Sequence, residues 1–135
     1  MTTGYSGTPL AKKLGIGEGD TLVVLDDPGH FGEIAAPLPG AVTMRTSARG
    51  KADVAVFFTK SRRKLERRIP SLGRLIYPAG ALWVAWPKRA SKVPTDMTED
   101  VVRDVVLPLG LVDVKVAAID EIWSGLKIVW RKEHR

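Results

Sequence analysis

The chain is predicted to fold as an α/β domain with a mostly parallel sheet, and three features carry that expectation. Ala52–Lys88 reads as an apolar strand (ADVAVFF), an amphipathic helix (SRRKLERRIPSLGRLIY), a tight turn (PAG) and a second apolar strand (ALWVAW). Parallel neighbours need a long crossover, and this helix supplies one. Thr21–Leu25 (TLVVL) is an unbroken apolar run, the pattern of a strand covered on both faces. Near the C-terminus, Leu111–Ile119 and Leu126–Trp130 both read as strands, and the turn between them is too short for a crossover, so they pair antiparallel.

The elements follow in order. Thr8-Pro9 before LAKKLG is a capped helix start, with proline at the first helical position and Gly15 at the end. Gly17–Asp20 is a turn. After the first strand comes the loop Asp26-Asp27-Pro28-Gly29-His30, then a short helix from Phe31 to Ala36, stopped by Pro37, Pro39 and Gly40. Ala41–Arg45 is a short second strand and Asp53–Phe58 a third. The next helix aligns Leu65, Ile69, Leu72 and Ile76 on one stripe, with its arginines elsewhere. Pro70 inside that pattern predicts a kink or two short helices. Ala81–Trp86 is the fourth strand, and Pro87–Pro94 a basic loop. Thr98 caps a helix with Glu99 and Asp100 in its first turn and Val101, Val102, Val105 and Val106 as its buried stripe. Pro108 and Gly110 stop it. Asp120–Gly125 turns the chain into the last strand.

At 135 residues, residues 1–135 are expected to form one domain with its own core. A 44% hydrophobic and 27% charged composition excludes a disordered chain. The absence of cysteine excludes disulfides, thiolate metal sites and cysteine nucleophiles, and two histidines leave little for a histidine metal centre. No metal ligands and no catalytic residues are assigned, and the sequence names no cofactor. No apolar run approaches the roughly 20 residues of a membrane span, and MTTGYSGTPLAKKLG lacks the apolar core of a secretion signal. A cytoplasmic protein without a membrane partner is the expectation. Lys60, Arg62, Arg63, Lys64, Arg67, Arg68 and Arg74 against Glu66 account for the whole formal net charge of +6.

This order of parts resembles the Rossmann-like fold of S-adenosylmethionine-dependent methyltransferases. LGRLIYPAGALWVAWPK is similar to that family's Pro-Gly-Gly turn before its fifth strand, here Tyr77-Pro78-Ala79-Gly80. The resemblance implies a three-layer domain with a six-stranded mixed sheet of order 2-1-3-4-6-5 and an antiparallel last strand. TTGYSGTPLAKKLGI, ALWVAWPKRASKVPTD and DEIWSGLK together resemble a family of small, largely actinobacterial proteins of unknown function, which brings no activity with it. Two positions depart from the methyltransferase pattern. Pro28 stands in the glycine-rich loop and removes a donor N–H. Arg45 ends the second strand, where that family has an acid for the ribose hydroxyls. Asp26-Asp27 also resembles the acidic pair of response regulators, but Thr59 ends the third strand where their phosphate-accepting aspartate belongs.

Ligands of open α/β sheets bind beyond the carboxyl ends of the strands. That edge is expected to gather Asp26, Asp27, His30, Lys60, Trp86, Lys88, Lys92, Asp120, Glu121 and Trp123. Lys88 and Lys92 would hold an anion, with Trp86 or Trp123 stacked on it. Asp26 and Asp27 are either an acid pair or ordinary turn residues. His30 is a proton shuttle or a surface histidine, and Trp123 a stacking platform or a cover for the core. The first functional expectation is a non-catalytic module of this fold that binds a small anionic ligand or a protein partner. The second is a transferase with an atypical cofactor pocket. The third is a nucleic-acid-associated protein using Arg62, Arg63, Arg67 and Arg68. An exposed final strand would allow a homo-oligomer.

Overall fold

The computed structural model describes residues 7–135. The start of the Thr2–Ile16 segment, including Ser6, lies outside them. The elements are α1 (Leu10–Lys13), β1 (Thr21–Leu25), α2 (Phe31–Ala35), β2 (Thr43–Arg45), β3 (Val54–Phe58), α3 (Arg62–Ile76), β4 (Ala81–Pro87), α4 (Glu99–Val106), β5 (Leu111–Ala118) and β6 (Trp123–Trp130). Short 3₁₀ turns follow β4, α4 and β6. The six strands form one α/β sheet of order β2-β1-β3-β4-β6-β5. β1 pairs parallel with β2 and β3, β3 parallel with β4, and β6 antiparallel with both β4 and β5.

Alternation along each strand divides the core into two layers. Val23, Leu25, Ala55, Phe57, Leu82, Val84, Trp86, Leu126 and Ile128 face α3 and α4, and Trp130 packs against the same cluster. Leu22, Val24, Val56, Phe58, Trp83, Ala85 and Trp123 face α1 and α2. β3 and β4 are buried along their whole length, which is why they read as continuous apolar runs.

α3 is one unbroken helix that contains Pro70, so of the two arrangements expected there the division into two short helices does not occur. Pro70 and Glu66 both lie on the exposed side. On that side solvent can serve the Glu66 carbonyl, which the proline leaves without its helical donor. Ser61 caps this helix by accepting from the Lys64 amide at 3.1 Å, and Thr98 caps α4 by accepting from the Val101 amide at 3.1 Å. Pro9 occupies the N-cap place of α1, one position earlier than expected, with no side-chain cap.

Two expectations at the C-terminal hairpin are corrected. Trp123, Ser124 and Gly125 belong to β6, not to the turn, because they pair with Pro87, Trp86 and Ala85 of β4. The last strand is also interior. The sheet edge on this side belongs to β5, with Val114 and Val116 exposed and a bulge between Asp113 and Lys115. No described helix is long and apolar enough to cross a membrane.

Candidate functional site at the carboxyl edge of the sheet

β1, β3 and β4 run side by side in one direction, with Leu25 beside Phe57 and Phe58 beside Ala85. Their carboxyl tips therefore deliver Asp26, Lys60 and Trp86 to one rim. The residues expected there separate into two cavities, a capping aspartate and a turn joined to His30 by a hydrogen bond.

The first cavity, about 510 Å³, is lined by Trp86, Pro87, Lys88, Arg89, Lys92, Met97, Thr98 and Glu99, among others. Its wall is held by its own hydrogen bonds. The Ser91 hydroxyl donates to the Lys88 carbonyl at 2.7 Å and accepts from the Val93 amide at 3.2 Å. The Thr95 hydroxyl donates to the Lys60 carbonyl at 2.7 Å and accepts from the Met97 amide at 3.0 Å. The Lys88 amide donates to the Ile122 carbonyl at 2.8 Å, which ties this loop to the β5–β6 turn. Lys88, Arg89 and Lys92 make no ion pair among the described residues. Glu99, the one carboxylate of the lining, is paired with Arg103. The cavity is thus cationic, with the indole of Trp86 in its lining.

The second cavity, about 410 Å³, is lined by Asp26, Pro28, Phe58, Thr59, Lys60, Ser61, Lys64 and Trp123. Asp26 holds a positive φ of 55°. Its carboxylate is 2.8 Å from the Lys64 ammonium and 3.9 Å from the Arg68 guanidinium. Trp123 is 6% exposed and meets Phe58 edge-on at 5.1 Å, so it covers the core more than it offers a stacking face.

The two tryptophans expected as alternative stacking faces line different cavities, Trp86 the first and Trp123 the second. Trp123 pairs with Pro87, and Trp86 with Ser124. That offset of one residue puts the two indoles on opposite faces of the sheet. Lys64, which lines the second cavity, was not among the residues expected at this edge. Lys64 and Arg68 are four apart on α3, so both reach the same strand tip, a signal the sequence does contain.

Asp27 is a cap. One carboxylate oxygen accepts from the amides of Gly29 (2.8 Å), His30 (3.2 Å) and Phe31 (3.2 Å). His30 Nε2 donates to the Asp120 carboxylate at 2.5 Å. Asp120 also accepts from the amides of Ile122 and Trp123, at 2.8 and 2.7 Å, and Glu121 is exposed in the same turn. Burial works against the Asp120 carboxylate, yet the bonds from His30, Trp123 and Ile122 outweigh it and hold its pKa below the ordinary value. A depressed carboxyl pKa stabilises the fold fully above the ordinary carboxylate range, near about pH 4, and the effect disappears as pH falls through the folded value. Asp120→Ala is accordingly expected to cost about 2 kcal/mol at pH 7. Urea unfolding at pH 7 and pH 3 checks this, with the gap from the native chain narrowing at the lower pH. A gap that stays constant would contradict the assignment. Burial and then the nearby Lys88 lower the pKa of Lys13 on the same side of the edge.

The β1 loop does not fit S-adenosylmethionine. The amides that would face the cofactor already bond to Asp27, and Pro28 contributes none. At the end of β2 the Arg45 guanidinium donates to the carbonyls of Arg49 and Lys51, at 2.7 and 2.6 Å, where a ribose would want an acid. Among the described residues no group of three or more side chains could hold a metal ion.

No protein-family model and no curated protein matches the chain. Solved structures do. An S-adenosylmethionine-dependent methyltransferase from Aquifex aeolicus aligns with a TM-score of 0.58 at 12% identity, covering 88% of this chain and 86% of that one. Magnesium protoporphyrin IX methyltransferase from Synechocystis PCC 6803, with bound S-adenosylmethionine, aligns with a TM-score of 0.58 at 12% identity, covering 90% and 74%. At such identity the likeness extends to the fold: this chain has the Rossmann-like architecture of S-adenosylmethionine-dependent methyltransferases.

Proposed function

We propose that the protein is a non-catalytic binding module of methyltransferase-like fold whose ligand is a small anion held in the Trp86–Glu99 cavity. The observation that carries this reading is the cationic lining. Lys88, Arg89 and Lys92 surround a space of about 510 Å³ whose single carboxylate is engaged by Arg103. That size lies within the usual range for small-molecule sites, roughly 300–1,000 Å³. Ordered Ser91 and Thr95 bonds fix the loop in advance, so little freedom is lost on binding. Lys88 and Lys92 hold the anion, and Trp86 supplies an apolar wall.

A transferase is the competing reading, favoured by the fold alone. Calorimetry separates the two. Inorganic phosphate, pyrophosphate, citrate and S-adenosylmethionine are titrated into the native chain and into Lys88→Ala/Lys92→Ala. The expected result is binding of at least one of the three anions, weakened by about tenfold or more in the double variant, because each lost charge-assisted bond costs about 1.5–3 kcal/mol. S-adenosylmethionine gives no heat. Tight S-adenosylmethionine binding, or anion affinity indifferent to both lysines, would overturn the proposal.

A further inference from the structure

We propose that the outward ridge of α3, formed by Arg63, Arg67 and Arg74, is a phosphate-contact surface for duplex DNA, separate from the carboxyl-edge cavity. The helix divides its cations into three rows. On one flank Arg62 pairs with Glu66 at 3.0 Å and with Asp104 at 3.6 Å. On the other flank Lys64 and Arg68 pair with Asp26. Between the flanks, Arg63, Arg67 and Arg74 are exposed, and none of them makes an ion pair among the described residues. Arg74 donates only to the neutral Ser71 hydroxyl, at 3.3 Å. At 3.6 residues per turn the three project within about 40° of one another and span about 16 Å of helix axis. Lys51 extends the row, its ammonium donating to the Arg74 carbonyl at 3.0 Å.

The chemistry of this ridge fits phosphate better than protein. A protein interface needs a buried aromatic or aliphatic anchor. None of the large exposed apolar side chains belongs to α3. Single strands are bound on aromatic platforms, and α3 contains no aromatic residue. What remains is a line of guanidinium groups on a convex helix. That shape suits the backbone of B-form DNA, whose major groove of about 12 Å admits a helix. The deep, narrow groove of duplex RNA does not. The three guanidinium groups without an ion pair stand on a chain of net charge +6, so a polyanion is favoured on this side.

The test is fluorescence anisotropy with a labelled random-sequence DNA duplex. Three phosphate contacts predict a slope of log affinity against log salt near −2.7, or roughly 40-fold weaker binding between about 50 and 200 mM salt. Arg63→Ala/Arg67→Ala should reduce the slope to about −0.9, and Lys115→Ala, on the exposed β5 edge, should leave it unchanged. All three residues are exposed, and circular dichroism is the check that each variant folds. Three outcomes would overturn the proposal. They are no binding at the lower salt, a slope indifferent to the two arginines, and competition by polyglutamate, single-stranded DNA or duplex RNA as strong as that by duplex DNA.

Discussion

Gly80→Ala is expected to destabilise the fold by about 3 kcal/mol, seen as a loss of roughly 10 °C in Tm. A Cβ at this position would lie 2.5 Å from the Ala52 carbonyl oxygen, 3.0 Å from that of Ile76 and 3.2 Å from that of Asp53. All three are main-chain atoms, so no side chain can rotate away. Two of them are also committed to pairing. The Gly80 amide donates to Ile76 at 2.8 Å, and the Ala81 amide to Asp53 at 3.0 Å. The end of α3 and the starts of β3 and β4 meet here, and the glycine of the Tyr77–Gly80 turn has a steric reason independent of any cofactor. A variant that melts within about 2 °C of the native chain, well inside the effect of a single kcal/mol, would show that this junction can open without cost.

Trp83→Ala is the second large effect, at about 4 kcal/mol. Trp83 is fully buried in the layer beneath α1 and α2. Its indole N–H donates to the Leu14 carbonyl at 3.0 Å, and Gly125 of β6 leaves room for the ring. Removal leaves a cavity at the centre of the sheet and a carbonyl without its donor. Trp83→Phe separates the two contributions. It keeps most of the volume and loses chiefly the hydrogen bond, for about 1–2 kcal/mol. Urea midpoints of the two variants give the comparison. If Phe and Ala cost the same, the ring volume is not what the site depends on.

Much of this architecture was readable because parallel strands buried on both faces leave unmixed apolar runs, and Thr21–Leu25, Val54–Phe58 and Ala81–Pro87 are such runs. The crossover helix was readable from the spacing of Leu65, Ile69, Leu72 and Ile76. Its continuity through Pro70 was not, because that depends on which side of the helix water reaches. The start of β6 was lost because Ser124-Gly125 has the composition of a turn, while its pairing with β4 is a long-range fact. At the edge, the topology correctly brought Asp26, Lys60 and Trp86 together. The composition of the loop allowed Asp27 as a turn residue beside the acid-pair reading, but not which amides it accepts from, nor that His30 reaches Asp120 across ninety positions of sequence. Those are side-chain choices, decided by geometry that only the folded chain supplies.

The sheet that separates the two core layers also sorts the chromophores. Of the four tryptophans, Trp83 and Trp123 lie on the α1–α2 side, and Trp86 and Trp130 on the α3–α4 side. Replacing either pair by phenylalanine leaves an emission signal that belongs to one layer alone. The chain therefore carries a built-in pair of optical reporters, able to tell whether the thin cover of α1 and α2 loosens before the broad cover of α3 and α4.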